Sequence, residues 1–463
     1  MAITTKKQGV WELNEVYEKI DQGNIWTYNA NDPGAAGQLW AFGKNSQGQL
    51  GLNTPTDGNS SPVQIGTNTT WTLQGPGYAE GKASFALKTD GTLWGWGQSP
   101  GGNIANVNIA HPAQRSSPTQ IPGTTWDTIA QGQQNACLGR KTDGSLWGWG
   151  ISYQGEIGNN QDGGSGPGQY RWSSPVQIPG TNWSKQFNVV GQSTGAIKTD
   201  GTLWTWGGNS SGEQGSNDRT QRSSPTQVPG TDWNRLGKGG NNGETYCIKN
   251  DGSLWAWGSN NKGQMGQNQK GPNLPSLSSP TQIGTDTTWL NVAYGQSNVI
   301  ATKSDGSLWA WGDNSFGALG QNEQGGPTSR SSPVRIGTET SWHPHQFVAQ
   351  QYGYTALKTD GSLWTWGRNE AGVLGQNQQG NAISSPTQVG TDTTWMNITA
   401  TSNQSLMATK TDGTLWSWGQ NQQGQLGKNN GTPARRSSPV QIPGTWVTTR
   451  LGEMSLGAIA MKV

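Results

Sequence analysis

Lys198-Thr199-Asp200-Gly201-Thr202-Leu203-Trp204-Thr205-Trp206-Gly207 reads as two short strands joined at Asp200-Gly201. Asp-Gly between strand-like runs is a strong hairpin signal, because glycine takes positive φ without a Cβ clash. Trp204 and Trp206 are two apart and share one face of the second strand. The string recurs along the chain. Its leading tryptophans are Trp40, Trp94, Trp147, Trp204, Trp255, Trp309, Trp364 and Trp416, spaced 51 to 57 residues apart, with Phe42 replacing the second Trp in the first copy. Asp90, Asp143, Asp200, Asp251, Asp305, Asp360 and Asp412 each precede a glycine. Turn chemistry accounts for these aspartates without any metal or catalytic role.

Between the paired tryptophans the residue is always small: Ala41, Gly95, Gly148, Thr205, Ala256, Ala310, Thr365 or Ser417. That suits a strand buried on both faces, with indoles on one side and a close neighbouring sheet on the other. An exposed aromatic ladder for stacking sugars is the functional alternative. A variable loop follows, then Ser-Ser-Pro-x-Gln/Arg with prolines at Pro62, Pro118, Pro175, Pro225, Pro280, Pro333, Pro386 and Pro439. Proline cannot donate to a ladder, so it opens a strand or lies on an edge. A Gly-Thr turn and another Trp close each unit, from Trp71 to Trp446. About four strands per repeat make one propeller blade. The expected fold is all-β: a β-propeller of eight four-stranded blades, with seven as the alternative.

The two ends complement each other. Gly37-Gln38-Leu39-Trp40-Ala41-Phe42-Gly43 lacks the Lys-Thr-Asp-Gly strand that precedes the other copies, and Gly457-Ala458-Ile459-Ala460-Met461-Lys462-Val463 matches the missing piece. Pairing of these two strands inside one blade would close the ring and remove free sheet edges. Residues 37–463 then form the propeller and 1–36 a short N-terminal arm.

Only 30% of the 463 residues are apolar, yet 26 are Trp and 71 are Gly. Disordered chains are poor in aromatics, so a Trp-based core replaces an aliphatic one. The formal charge of +2 comes without a basic stripe, which speaks against nucleic acid or an anionic membrane as partner. No stretch reads as a secretory signal or a bilayer span. Cys137 and Cys247 fall in non-adjacent repeats, so no disulfide between them is expected.

Several copies continue as Gly43-Lys44-Asn45-Ser46-Gln47-Gly48-Gln49-Leu50-Gly51 or Gly419-Gln420-Asn421-Gln422-Gln423-Gly424-Gln425-Leu426-Gly427. With the Asp-Gly-x-Leu-Trp-x-Trp-Gly strand, this resembles the regulator of chromosome condensation repeat family over about residues 37 to 463. The resemblance implies a propeller. The best-known relatives have seven blades and act as nucleotide-exchange factors for a small GTPase; others inhibit enzymes or bind proteins. Eukaryotic repeats tend to place a His ahead of the hairpin strand, where this chain has residues such as Thr194 and Asn298. The Asn/Gln/Ser/Thr-rich dialect looks like versions in bacterial and bacteriophage proteins, marine phages especially. Gly9-Val10-Trp11-Glu12-Leu13-Asn14-Glu15-Val16-Tyr17 is similar to a segment of phage structural and fibre proteins.

Trp11, Leu13, Val16, Tyr17 and Trp26 are therefore the candidate virion-docking residues of an arm with one short helical pattern around Leu13 to Ile20. A tail packed on its own propeller is the plainer reading. Tyr170, Arg171 and Trp172, at the end of the longest variable loop, are the candidate loop-binding residues, since rigid frames present recognition on loops. Arg115, Arg222, Arg330, Arg435 and Arg436 precede Ser-Ser-Pro and either ring one face or solvate it. His343 and His345 lack a third ligand at metal spacing, and no catalytic motif or cofactor fingerprint stands out. The expectation is a non-enzymatic bacteriophage virion structural protein, made in the host cytoplasm. It would serve as head decoration, tail fibre or receptor-binding component. Its partners would be other virion proteins, a second copy of itself, or a host-surface glycan or protein. The alternative is a soluble protein–protein adaptor or inhibitor of the same repeat family, with a GTPase exchange factor behind it.

Overall fold

The structure is a computed structural model. It describes residues 36–462 except 55–56, 73–82, 100–101, 103, 105–112, 133–134, 162–170, 240–242, 403, 429–433, 447–451 and 455–456. The arm and its five candidate docking residues lie outside the described residues, as does Tyr170.

Eight sheets follow one another along the chain, each with four strands of its own repeat. Blades are numbered here by their leading tryptophan, from Trp40 in blade one to Trp416 in blade eight. Blade four shows the pattern: Trp183–Val190, Ser193–Lys198, Leu203–Gly207 and Arg222–Gln227 pair antiparallel in that order. First strands of neighbouring blades touch, as Trp289–Tyr294 touches Trp342–Gln350 and the latter Trp395–Ser402. They surround the axis, and the Ser-Ser-Pro strands form the rim, where a proline costs no ladder bond. Blade five adds a two-residue strand, Lys238–Gly239, that pairs parallel with the first strand of blade six.

The ring closes as the termini suggest. Gln38–Gly43 pairs antiparallel with Gly457–Lys462 in unbroken register from Gln38↔Lys462 to Gly43↔Gly457. Asn59–Gln64 and Gly452–Met454 complete that blade.

The core lies between blades rather than within them. One cluster joins Tyr246, Ile248, Ala256 and Met265 of blade five to Trp289, Val292, Val299 and Trp311 of blade six. At the closing seam another joins Met407 and Leu415 of blade eight to Phe42, Ala458 and Ala460 of blade one. The second aromatic residue of each string, Phe42 in the first copy and Trp in the others, reaches into the preceding blade. The indole N–H groups of Trp96, Trp206, Trp257, Trp311, Trp366 and Trp418 donate to the carbonyls of Gln49, Glu156, Glu213, Gln264, Ala318 and Val373, at 2.7–2.9 Å. A buried indole needs an acceptor, and the Gly-Gln-Leu-Gly turn next door supplies one.

Ser-Ser-Pro forms a second link. Asn53, Asn160, Asn217, Asn268, Asn322 and Asn377 adopt left-handed φ of 58–64°. Their N–H groups donate to the first serine's carbonyl in the following blade, while the second serine's hydroxyl donates to the asparagine Oδ1. Gly317 shows why these turns need glycine. Its φ is +73°, and a Cβ there would stand 2.6–2.7 Å from Ser384 of the next blade.

The small residue of Trp-x-Trp has a different neighbour from the one expected. Thr205, Thr365 and Ser417 donate to the carbonyls of Gln214, Leu374 and Leu426, in the same blade's returning loop. That loop folds back over its own sheet, so it covers the face an adjacent sheet was expected to occupy.

Candidate protein-binding face

Strand direction gives the disc two unlike faces. The third strand of each blade begins at the Asp-Gly turn and ends at the variable loop, so these sit on opposite faces.

On the turn face every aspartate is engaged locally. Asp200 Oδ1 accepts from the Thr202 N–H and hydroxyl, and that hydroxyl accepts from the Trp204 indole. The same chain runs from Asp143 through Ser145 to Trp147, and from Asp360 through Ser362 to Trp364. The hydroxyl bond, then the backbone bond, hold these carboxyls below their ordinary pKa. Beside each turn a lysine sits against two indoles. Lys358 Nζ lies 3.7 Å from the Trp364 ring centroid and 5.1 Å from that of Trp342, and the two rings meet edge-to-face. Lys88, Lys141, Lys198, Lys249, Lys303, Lys410 and Lys462 repeat the arrangement. Lys303, Lys358 and Lys410 also pair with Asp286, Glu339 and Asp392. The leading indoles are half-buried and already face a cation, so the turn face is spent on the scaffold itself.

The opposite face carries what differs between blades. In blade seven the first strand, Trp342–Gln350, turns through Gln351-Tyr352 into Gly353–Lys358. Arg368, just past Leu363–Gly367, lies 5.0 Å from the Phe316 ring centroid and 5.5 Å from that of Tyr352. Those rings stand 4.9 Å apart, and Arg368 Nη2 donates to Glu370 Oε2 at 2.5 Å. Arg435 of blade eight donates to the Glu370 carbonyl. Phe316 fills the turn position held by Gln47, Ser211, Lys262 and Gln423 elsewhere. The cluster therefore belongs to blades six and seven and not to the repeat. Beside it lies a cleft lined by Gln350, Tyr352, Arg368 and Glu370 whose enclosed part holds about 10 Å³, room for one water.

Arg171 and Trp172 open the outer strand Arg171–Gln177 and are half-buried there, so the structure moves them from loop to strand. Trp172 pairs with Gly150 as Arg115, Arg222, Arg330 and Arg436 pair with Gly97, Gly207, Gly312 and Gly419. It thus holds a regular register position of the repeat, which its unusual residue type hid. Arg222 and Arg330 fold back on Asp218 and Glu323 of their own loops. Cys137 and Cys247 are buried and form no disulfide with each other, and burial raises both thiols. His343 is pushed down to about 4 by burial, and its Nδ1 accepts from the backbone N–H groups of His345 and Gln346. The Phe316–Tyr352–Arg368 cluster escaped the sequence reading. Its one signal was the break from the polar Gly-Gln-Leu-Gly dialect at Phe316, Ala318 and Val373.

A closed ring of blades, stitched by turns reaching forward into the next sheet, defines a propeller class. Residues 36–72, 251–302, 305–348, 360–407 and 412–451 match the Regulator of chromosome condensation (RCC1) repeat, and a second form of that repeat matches 289–318. Over those residues, a little under half of the chain, the sequence is similar to that repeat. It is 24% identical over 377 residues to the human E3 ubiquitin-protein ligase HERC2, a span of 78% of this chain and 7% of that protein. It is 27% identical over 317 residues to the mitochondrial RCC1 domain-containing protein RUG3 of Arabidopsis thaliana, 66% of this chain and 67% of that one. Prp20p from Saccharomyces cerevisiae, described with its binding to Gsp1p and histones, superposes with a TM-score of 0.60 at 16% identity. That superposition covers 92% of this chain and 91% of Prp20p. At this identity the superposition speaks to the fold.

Proposed function

We propose that this chain is a non-catalytic protein-binding platform that engages its partner through the variable-loop face around blades six to eight. The cluster of Phe316, Tyr352 and Arg368 carries the reading. Aromatic and arginine side chains held rigid on a scaffold are what interface hot spots are made of. The small enclosed cleft beside them suits a protuberance of a macromolecule better than a whole metabolite. Prp20p, which shares the fold, has described protein partners, and this reading stands ahead of the virion one because the relatives above are cellular proteins. A particle component anchored by Trp11, Leu13, Val16, Tyr17 and Trp26 would be a second contact, and rests on the sequence of the arm alone.

The test is quantitative affinity capture from the source cell with the full chain, Arg368→Ala, Tyr352→Ala, and Tyr153→Ala as control on another blade. A partner depleted at least about tenfold by the first two variants and retained by the third supports the platform; tenfold is about 1.4 kcal/mol, an ordinary hot-spot loss. Equal capture by all four folded proteins overturns it. The same capture with residues 1–36 deleted tests the arm.

A further inference from the structure

On the platform reading, the charge of the partner can be read from blade eight, because the repeat supplies its own controls. Opposite the glycine after each second aromatic residue stand Arg115, Arg222, Arg330 and Arg436 in blades two, four, six and eight. Blades one, three, five and seven have Asn59, Trp172, Leu277 and Ile383 there. The loop residue after the left-handed asparagine changes in step. It is Asp218 in blade four and Glu323 in blade six, but Thr54, Gln161, Gln269 and Gln378 in the blades without arginine. An acid stands at this position only where an arginine faces it, and Arg222–Asp218 and Arg330–Glu323 are ion pairs.

Blade eight keeps the arginine and lacks the acid. Arg222 Nη1 donates to Gln214 Oε1, Ser216 Oγ and Asp218 Oδ1, and its Nη2 to Asp218 Oδ2 at 2.6 Å. Leu426, Lys428 and Asn430 fill those three loop positions in blade eight, Asn430 lying outside the described residues. From Gly413 to Gly452 the chain has no Asp or Glu. Among the described residues the covered Nε of Arg436 has no acceptor, and no carboxylate pairs with its guanidinium. Arg435, on the opposite face of the same strand, is exposed and donates to the Glu370 carbonyl, while the Glu370 carboxylate is already bonded to Arg368. The Lys428 ammonium rests on the Gln441 carbonyl. Water can hydrate these groups, but it leaves their three positive charges without a matching acid beside the aromatic cluster. Arg115 repeats the condition two blades further round, with no Asp or Glu from Gly91 to Trp126.

We propose that Arg436, flanked by Arg435 and Lys428, takes a carboxylate of an acidic partner segment in the place that Asp218 fills for Arg222. A guanidinium holds a carboxylate through two parallel N–H···O bonds, and blade four shows that fork formed on this scaffold. The place is open to the outside: the side chains of Asp218 and Glu323 are 39% and 38% exposed, so an acid can reach the same position from a partner. A phosphate also fits a guanidinium fork. At this register the chain itself uses a carboxylate twice, which favours an acidic peptide over a nucleic acid. The apolar part of the same segment would then meet Phe316 and Tyr352 in the adjoining blades.

The experiment follows fluorescence anisotropy of labelled hexaglutamate, hexaglutamine and oligothymidylate on the full chain at low ionic strength, where exposed charges are least screened. Hexaglutamate should bind and hexaglutamine should not. Arg436→Gln should weaken hexaglutamate at least about tenfold, the loss of one charge-assisted pair. Asn430→Asp should weaken it as much, since it supplies the acid within the loop and removes no cation. Arg222→Gln removes the same charge from a blade that already has its acid, and should change little. Thermal midpoints show that the variants are folded. Binding undiminished in Arg436→Gln or Asn430→Asp, an equal loss in Arg222→Gln, equal binding of hexaglutamine, or tighter binding of oligothymidylate through the same arginines each overturn the proposal. In affinity capture, a partner lost with Arg368→Ala but retained by Arg436→Gln and Asn430→Asp overturns the acidic segment and leaves the platform standing. A partner lost with Arg436→Gln and Asn430→Asp but retained by Arg368→Ala and Tyr352→Ala upholds the acidic segment while the aromatic platform falls.

Discussion

Glu156 and Glu213 occupy the turn position that Gln49, Gln264 and Gln425 fill in other blades, and they accept the same backbone N–H two residues back. The substitution is nearly isosteric and differs in charge. Burial pushes Glu156 up to about 7 against hydrogen bonds that act to lower it. The folded chain therefore holds a proton that the unfolded carboxyl, near 4.3, has already released. A raised folded pKa of an acid means that stability is greatest below the unfolded value and is lost as pH climbs towards 7. Glu156→Gln removes that loss: little change in urea stability is expected at pH 4.5, and a gain of up to about 3 kcal/mol at pH 8. Equal effects at both pH values would contradict the assignment. Much at this scale was legible. Asp-Gly gave the hairpin turns because glycine's need for positive φ is local. The two serines of Ser-Ser-Pro were not legible, because their partner asparagines lie about sixty residues earlier in another blade.

The turns that reach forward are the elements on which the ring depends. Trp366 donates to the Ala318 carbonyl of blade six, and Trp364 donates only to Ser362 of its own turn. Trp366→Phe leaves a buried carbonyl short of its donor and should cost about 1–3 kcal/mol. Trp364→Phe, at a half-exposed position, should cost less. Denaturant titrations of the pair check the order, and a larger loss from Trp364→Phe would contradict the seam. Gly317→Ala should be worse than a loop substitution ordinarily is, by more than about 1 kcal/mol, because strain at positive φ adds to the clash with Ser384. The cleft shows where sequence reasoning stops. Gly353 and Val373 look unremarkable singly, and only their register with Glu244 and Gln264 of blade five shows that their small volumes fall together beside Gln350. The two faces of the disc follow from strand direction, but which face is spent on the scaffold depended on lysines stacking on indoles, a contact that periodicity does not reveal.

Closure makes these links one object. Ile459 and Met461 of the last strand join Leu39, Leu50, Trp71 and Trp96 in a cluster that spans blades one and two. Deleting 457–463 strips both large side chains from that core, each worth roughly 2–5 kcal/mol, and leaves Gln38–Gly43 as an open edge. The truncated chain should melt far below the full one and aggregate; an unchanged thermal midpoint would show that the ring does not depend on its last strand. The termini made closure legible because each end carried half of a known unit. A ring so tied holds its variable loops at fixed separations, and the whole account depends on those loops, not the turns opposite, meeting the partner. Hydrogen exchange of the full chain with and without its captured partner tests this most directly. The account predicts slowed exchange in residues 313–330, 351–353 and 368–382, with the Asp-Gly turns unchanged. Slowing confined to the Asp-Gly turns would contradict it.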